Sequence, residues 1–186
     1  MRGVIFTELM DMVEARMGLA MKDRVLTRAA FAHGGAYTNV GNYPSQELDR
    51  LVTLLAEESG LPRAALLEAY GEYLLEYFVR EYEAFFEVAG SALAFLARIE
   101  SYIHLEVRKL YPQAELPHFD YPVVEPHRLV MEYRSPRGLA DVALGLIKAT
   151  LRHYGEPLRL EVERLDGEAG RHARFTLTQD RGPPAP

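Results

Sequence analysis

The sequence predicts an α+β fold, an N-terminal helical subdomain followed by a small antiparallel sheet with helices packed on it. Three observations support that expectation. Apolar residues recur at spacings of three and four through most of the chain up to Leu110. Four prolines (Pro112, Pro117, Pro122 and Pro126) then interrupt the rhythm. Beyond them, short alternating runs flank the turn-rich stretch from Asp166 to Gly170.

The elements follow in order. Ile5, Leu9, Met12, Val13 and Met17 share a helical face, and Gly18 closes that segment. Met21, Val25 and Ala29 give a short second helix, stopped by Gly34 and Gly35. Ala36 to Pro44 reads as loop. Ser45 is placed as the N-cap of a helix to about Ser59, with Gly60 past its end. Pro62 opens the next helical stretch, to Val88. Gly71 falls inside it, weakening the helix by about 1 kcal/mol relative to Ala, so a break or kink is expected there. Tyr70, Tyr73, Tyr77, Phe78, Tyr82, Phe85 and Phe86 give this stretch an aromatic surface that must face a core, a ligand or a partner. One long helix is then expected from Ser91, its N-cap, to Leu110, with Leu93, Leu96, Ile99, Ile103, Val107 and Leu110 as its apolar stripe. Pro112 ends it.

After the proline-punctuated loop or edge segment, Arg128 to Tyr133 alternates as a strand. Leu139 to Tyr154 is helical, and Leu158 to Leu165 and Arg171 to Thr178 form two more strands. Residues 1–180 read as one domain, with a helical subdomain over 1–60 and the helix and sheet subdomain over 61–180; 181–186 read as a disordered tail.

Composition narrows the function. The chain has 186 residues, 48% of them hydrophobic, enough for one core with room for an apolar ligand. It has no cysteine, which excludes disulfides, thiolate metal sites and a cysteine nucleophile. The net charge of -6 and the lack of a dense basic stretch argue against nucleic acid and anionic membranes as partners. No run of 18 apolar residues occurs, and acidic residues interrupt the first helix. The expectation is a soluble cytoplasmic protein.

Two features carry chemistry. At 100° per residue, His104 lies within ~20° of Leu93 on the long helix, at the edge of its buried stripe. Such a histidine is either a core residue bonded to a carbonyl or a neutral imidazole donating a lone pair to a metal. The second feature is Tyr133, Ser135 and Arg137. If the strand runs on to Arg137, these share one face and set a phenol, a hydroxyl and a guanidinium side by side, a row suited to two carboxylates. The same residues read equally as a strand end, with Ser135 capping the next helix and Arg137 in solvent. His33, His118, His127, His153 and His172 form no metal-ligand spacing and read as surface or loop residues.

His104 in Tyr102-Ile103-His104-Leu105, the helix end at Leu110-Tyr111-Pro112, the Tyr-x-Ser-x-Arg motif 29 residues after His104 and the opening Met1-Arg2-Gly3-Val4-Ile5 occur together. In that combination the chain resembles, from Met1 to about Thr178, the haem nitric oxide/oxygen binding (H-NOX) family. That family includes the sensor domain of the soluble guanylate cyclase β subunit. The resemblance implies a b-type haem between the helical and sheet parts, with His104 the only protein ligand to ferrous iron. It implies that Tyr133, Ser135 and Arg137 bind the propionates, and that Ile5 and Pro117 pack on and distort the ring. Pro136, at a free position of the motif, fixes φ and removes a donor, so Ser135 is expected to sit slightly differently from the family norm.

The resemblance also locates the gas pocket. The position of the distal tyrosine that O₂-binding members use is Val142 here, and accessory polar positions correspond to Leu9 and Leu74. With Phe78 and Leu146 these form an apolar wall without a hydrogen-bond donor. The expected function is therefore a nitric oxide sensor, which also takes carbon monoxide, discriminates against O₂ and is not an enzyme. On gas binding the bond to His104 weakens and the strain imposed by Pro117 and Ile5 relaxes. A histidine kinase or diguanylate cyclase in trans reads the shift, as for bacterial stand-alone members. The alternatives are an O₂ sensor, should Tyr70, Tyr73 or Tyr77 reach the iron-bound gas, a haem enzyme needing a distal acid–base pair, and a haem-free interaction module.

Overall fold

The computed structural model describes residues 1–179; the expected tail over 181–186 lies outside the described residues. Helix α1 spans Val4–Met17 and α2 spans Leu19–Ala29, with Gly18 at φ 87° between them. α2 stops before Gly34, because Ala30 itself takes a left-handed conformation at φ 52°. α3 spans Ser45–Ser59. Its N-cap position is Pro44 rather than the expected Ser45, and Gly60 closes it at φ 70°. α4 spans Arg63–Glu81, with Pro62 at its N-cap position.

The expected break at Gly71 does not occur; α4 runs through it. The chain bends instead at Tyr82, with φ -133° and ψ 36°, before α5, Glu83–Ala89. Gly71 answers a tertiary need. A Cβ there would run into the carbonyl oxygen of Val142 on helix α8, Ala140–Tyr154. Gly145 of α8 meets α4 in the same way, at the carbonyl oxygen of Glu68. Backbones this close tolerate only glycine, so the cost of Gly71 in helix propensity is offset by packing.

The expected long helix from Ser91 to Leu110 is three pieces. α6 spans Ala92–Leu96, with the Ser91 hydroxyl accepting from the Ala94 amide at 3.1 Å as its cap. A π-helical turn covers Ile99–Ile103, and α7 spans His104–Leu110. The Ile103 amide donates to the Arg98 carbonyl at 3.1 Å, five residues back. The freed carbonyl of Leu96 accepts the Tyr121 hydroxyl at 2.9 Å. A π turn adds one residue to the helix and rotates everything after it relative to what came before. The stripe therefore holds at Leu96, which is buried, and fails at Leu110, which is 62% exposed.

Strands β1 (His118–Glu125), β2 (Arg128–Arg134), β3 (Arg159–Arg164) and β4 (His172–Thr178) form one antiparallel sheet in the order β1-β2-β4-β3. β1 is an edge strand, and its register slips between Asp120 and Val123, where Pro122 cannot donate to a ladder. Leu129, Met131 and Tyr133 of β2 and Ala173, Phe175 and Leu177 of β4 line the buried face. The other face carries an ionic ladder, in which Glu132 accepts from Arg174 at 2.7 Å and Arg174 reaches Glu163 at 2.8 Å.

Two hydrophobic clusters result. One joins α1, α2, α3 and α4, including Phe6, Leu9, Leu55, Leu67 and Leu74. The other joins α6, α8 and the sheet, including Phe95, Met131, Ile147 and Phe175. Phe78 and Leu146, both half-buried, pack against both. Among the described residues no helix is long and apolar enough to cross a membrane.

Candidate functional site

His104 begins α7, directly after the π turn, and is 7% exposed. Its Nδ1 lies 3.1 Å from Oε2 of Glu100. A carboxylate can only accept, so Nδ1 carries the proton and Nε2 keeps its lone pair. The hydrogen bond to Glu100 uses Nδ1 and leaves Nε2 outside it. Burial pushes the imidazole below its usual pKa, and the Glu100 carboxylate acts in the opposite sense. Burial would push Glu100 up, but hydrogen bonds from Arg108, His104 and the Phe119 amide bring it down to about 2. A buried neutral imidazole with a fixed tautomer is the form that ligates a metal. Among the described residues no group of three or more His, Asp or Glu is arranged to hold an ion. A single imidazole donor suits a metal that brings its other ligands with it, as porphyrin-bound iron does.

The Phe119 ring lies 5.9 Å from that of His104 and 5.6 Å from that of Tyr133. This aromatic bridge joins the helix end to the Tyr-x-Ser-x-Arg segment. β2 ends at Arg134, so the expected common strand face through Arg137 does not form. A tight loop assembles the three residues instead. The Ser135 amide pairs with the Arg171 carbonyl at 2.9 Å, and the Ser135 hydroxyl accepts the Arg137 amide at 3.3 Å. Burial raises the pKa of Tyr133, while hydrogen-bond contacts to the Ser135 side chain and the Leu139 backbone act in the opposite sense. Arg137 donates to the Glu115 carbonyl, which ties this loop to the segment carrying Pro117. Phenol and hydroxyl are thus neighbours, by loop geometry rather than strand alternation, while the guanidinium reaches to the Glu115 carbonyl.

Leu9, Leu74 and Val142 are buried in the helical cluster, with Ile5, Phe78 and Leu146 packed half-buried against it. The structure therefore brings together the five residues expected to form one wall. The tyrosines beside them are engaged elsewhere. Tyr70 donates its hydroxyl to the Ile5 carbonyl at 2.6 Å. The Tyr73 ring faces the Arg16 guanidinium at 5.8 Å and that of Tyr77 faces Arg80 at 5.3 Å.

His104 and Tyr133 are thus linked through Phe119, while Leu9, Leu74 and Val142 belong to the helical cluster, which Phe78 and Leu146 join to the cluster holding Phe119 and Tyr133. The family model described as "Haem-NO-binding" matches residues 2–162 of the chain. The chain belongs to the H-NOX family. Its fold superposes on the unliganded Fe(II) H-NOX protein from K. algicida with a TM-score of 0.92, at 31% identity and 98% coverage of each chain. The H-NOX from Shewanella woodyi, solved bound to IWP-051 in the Fe(II)CO state, is 30% identical with a TM-score of 0.81, covering 97% of this chain and 95% of that one. An H-NOX protein from S. oneidensis in the Fe(II)NO state shares the fold at a TM-score of 0.87 and 24% identity, over 97% of this chain and 100% of that one. No curated protein matches the chain. H-NOX domains are haem-based gas-sensing domains, and haem is this chain's cofactor.

Sequence reasoning missed Glu100 and Phe119. The spacing of four between Glu100 and His104 was a usable signal, because such helical pairs face each other. Nothing in the sequence marked Phe119.

Proposed function

We propose that this H-NOX domain is a ferrous haem sensor of nitric oxide, with His104 as the only protein ligand to iron. The observation that supports the gas assignment is the apolar character of Leu9, Leu74, Phe78, Val142 and Leu146, which share one hydrophobic cluster and would wall the gas pocket. None of these side chains donates a hydrogen bond, and the nearby Tyr70 hydroxyl is committed to the Ile5 carbonyl. Bound O₂ gains from a distal donor, whereas nitric oxide and carbon monoxide hold ferrous iron without one. Haem supplies the iron on which the gas binds. Tyr133, Ser135 and Arg137 would hold its propionates, and Ile5 and Pro117 would pack on the ring. Residues 1–180 are taken as one sensing domain, its two clusters meeting where α4 crosses α8.

His104 is the movable part. It sits at the junction of α7 and the π turn, so loss of its hold on iron would let the 99–110 segment shift against β1. A partner in trans with unequal affinity for the two arrangements, a histidine kinase or a diguanylate cyclase, would read the change. The domain itself then performs no catalysis. The test is the absorption spectrum of the ferrous protein under nitric oxide and in air. A spectral change with nitric oxide and no stable oxygenated form is expected. A persistent oxygenated spectrum in air would overturn the assignment in favour of an O₂ sensor.

A further inference from the structure

We infer that Glu100 is a positioning residue that sets the strength of the bond between His104 and iron, a conclusion that rests on the reading of His104 as the ligand. The side chain is fixed at both oxygens from two elements, α7 and β1. Oε2 meets Nδ1 of His104 at 3.1 Å and accepts the Phe119 amide of β1 at 3.1 Å. Oε1 accepts from Arg108 of α7 at 2.9 Å and faces Nδ1 of His118 at 3.5 Å. Glu100 itself lies in the π turn. A carboxylate so anchored holds the imidazole plane and tautomer, the role that outer partners play at metal-bound histidines.

The charge matters as well as the position. An ionised acceptor forms a stronger hydrogen bond than a neutral carbonyl does. By drawing the Nδ1 proton it raises electron density on Nε2, making the imidazole a better donor to iron. A stiffer bond favours the ferric state and resists release of the histidine when a gas binds on the other side. Arg108 acts in the opposite direction, because its guanidinium draws negative charge to the other carboxylate oxygen. Glu100 and Arg108 together would therefore set how readily this sensor switches.

The experiment uses the full haem-loaded chain and reads the iron–histidine stretching band by resonance Raman together with the midpoint potential. Glu100→Gln keeps an acceptor for the Phe119 amide but removes the charge. It is expected to move the band to lower wavenumber and the potential upward. Arg108→Met, at an exposed position, is expected to move both the other way. An unchanged band in Glu100→Gln, or shifts of the same sign in both variants, would overturn the inference, since general loosening has one sign. Should Glu100→Gln fail to retain haem, Arg108→Met decides alone, and an unchanged band there is equally fatal. His104→Gly separates this from the underlying reading: its band should vanish and added imidazole should restore one. If the band survives in that variant, it is the ligand assignment that fails.

Discussion

Gly71 of α4 and Gly145 of α8 face each other where the two helices cross, and a Cβ on Gly71 would come within 3.0 Å of the Gly145 Cα. The same Cβ would strike the Val142 carbonyl oxygen. The contact where the two hydrophobic clusters meet is thus also the contact that holds Val142 against α4. Gly71→Ala is expected to lose about 1–3 kcal/mol, the usual cost of overpacking. For a chain of this size that means a fall in Tm of roughly 2–4 °C per kcal/mol. Thermal unfolding checks it, and an unchanged Tm would show that the crossing can open without penalty.

Val142→Tyr would put a phenol donor into the wall. The ferrous variant is expected to form a persistent oxygenated spectrum in air while still binding nitric oxide. Absorption spectroscopy in air is the measurement. A variant that keeps haem yet forms no oxygenated species would place Val142 away from the bound gas.

Tyr70→Phe removes the hydroxyl bonded to the Ile5 carbonyl, which keeps its place in the hydrogen-bond ladder of α1. The expected loss of stability is about 0.5–1.5 kcal/mol, the net value of one hydrogen bond, read from denaturant midpoints. Gas selectivity should not change, because this hydroxyl is committed to α1. An O₂ affinity that falls in this variant would mean that Tyr70 donates to the gas after all.

Acid should weaken the sheet through Glu132. Hydrogen bonding and charge from Arg174, then Arg134, lower its carboxyl below the ordinary value of 4.5. A depressed folded-state pKa contributes stability that is fully present above the unfolded value and is lost as the pH falls through the folded value. Arg174→Ala should therefore flatten the decline in stability on the acid side. Urea unfolding from roughly pH 3 to 7 follows it, and an acid limb as steep as that of the parent chain would assign the decline to other carboxylates.

The fold class and most elements were legible because they depend on local periodicity. The stripes of α1 and α3, the alternation of β4 and the glycine stops at Gly18 and Gly60 are each properties of a single segment. The family was legible for a different reason: His104 and the Tyr-x-Ser-x-Arg motif in combination resemble it, where either alone was ambiguous.

Three features were not written in any one segment. Spacings of three and four fit a continuous helix and a broken one alike, so the π turn before His104 awaited Tyr121 and Phe119 of β1, whose bonds to Leu96 and Glu100 favour the extra residue. A glycine within a helical stretch reads as weakness until a second backbone is found against it, as α8 is against Gly71. The strand face expected through Arg137 gave way to a loop held by the Arg171 carbonyl, far along the chain. The sequence by itself determined which segments are helix or strand and which residue types are available for haem. The tertiary structure decided the rotation of His104, its partner Glu100 and the closeness of Val142 to α4, because hydrogen bonds and backbone contacts between distant segments exist only once those segments are packed together.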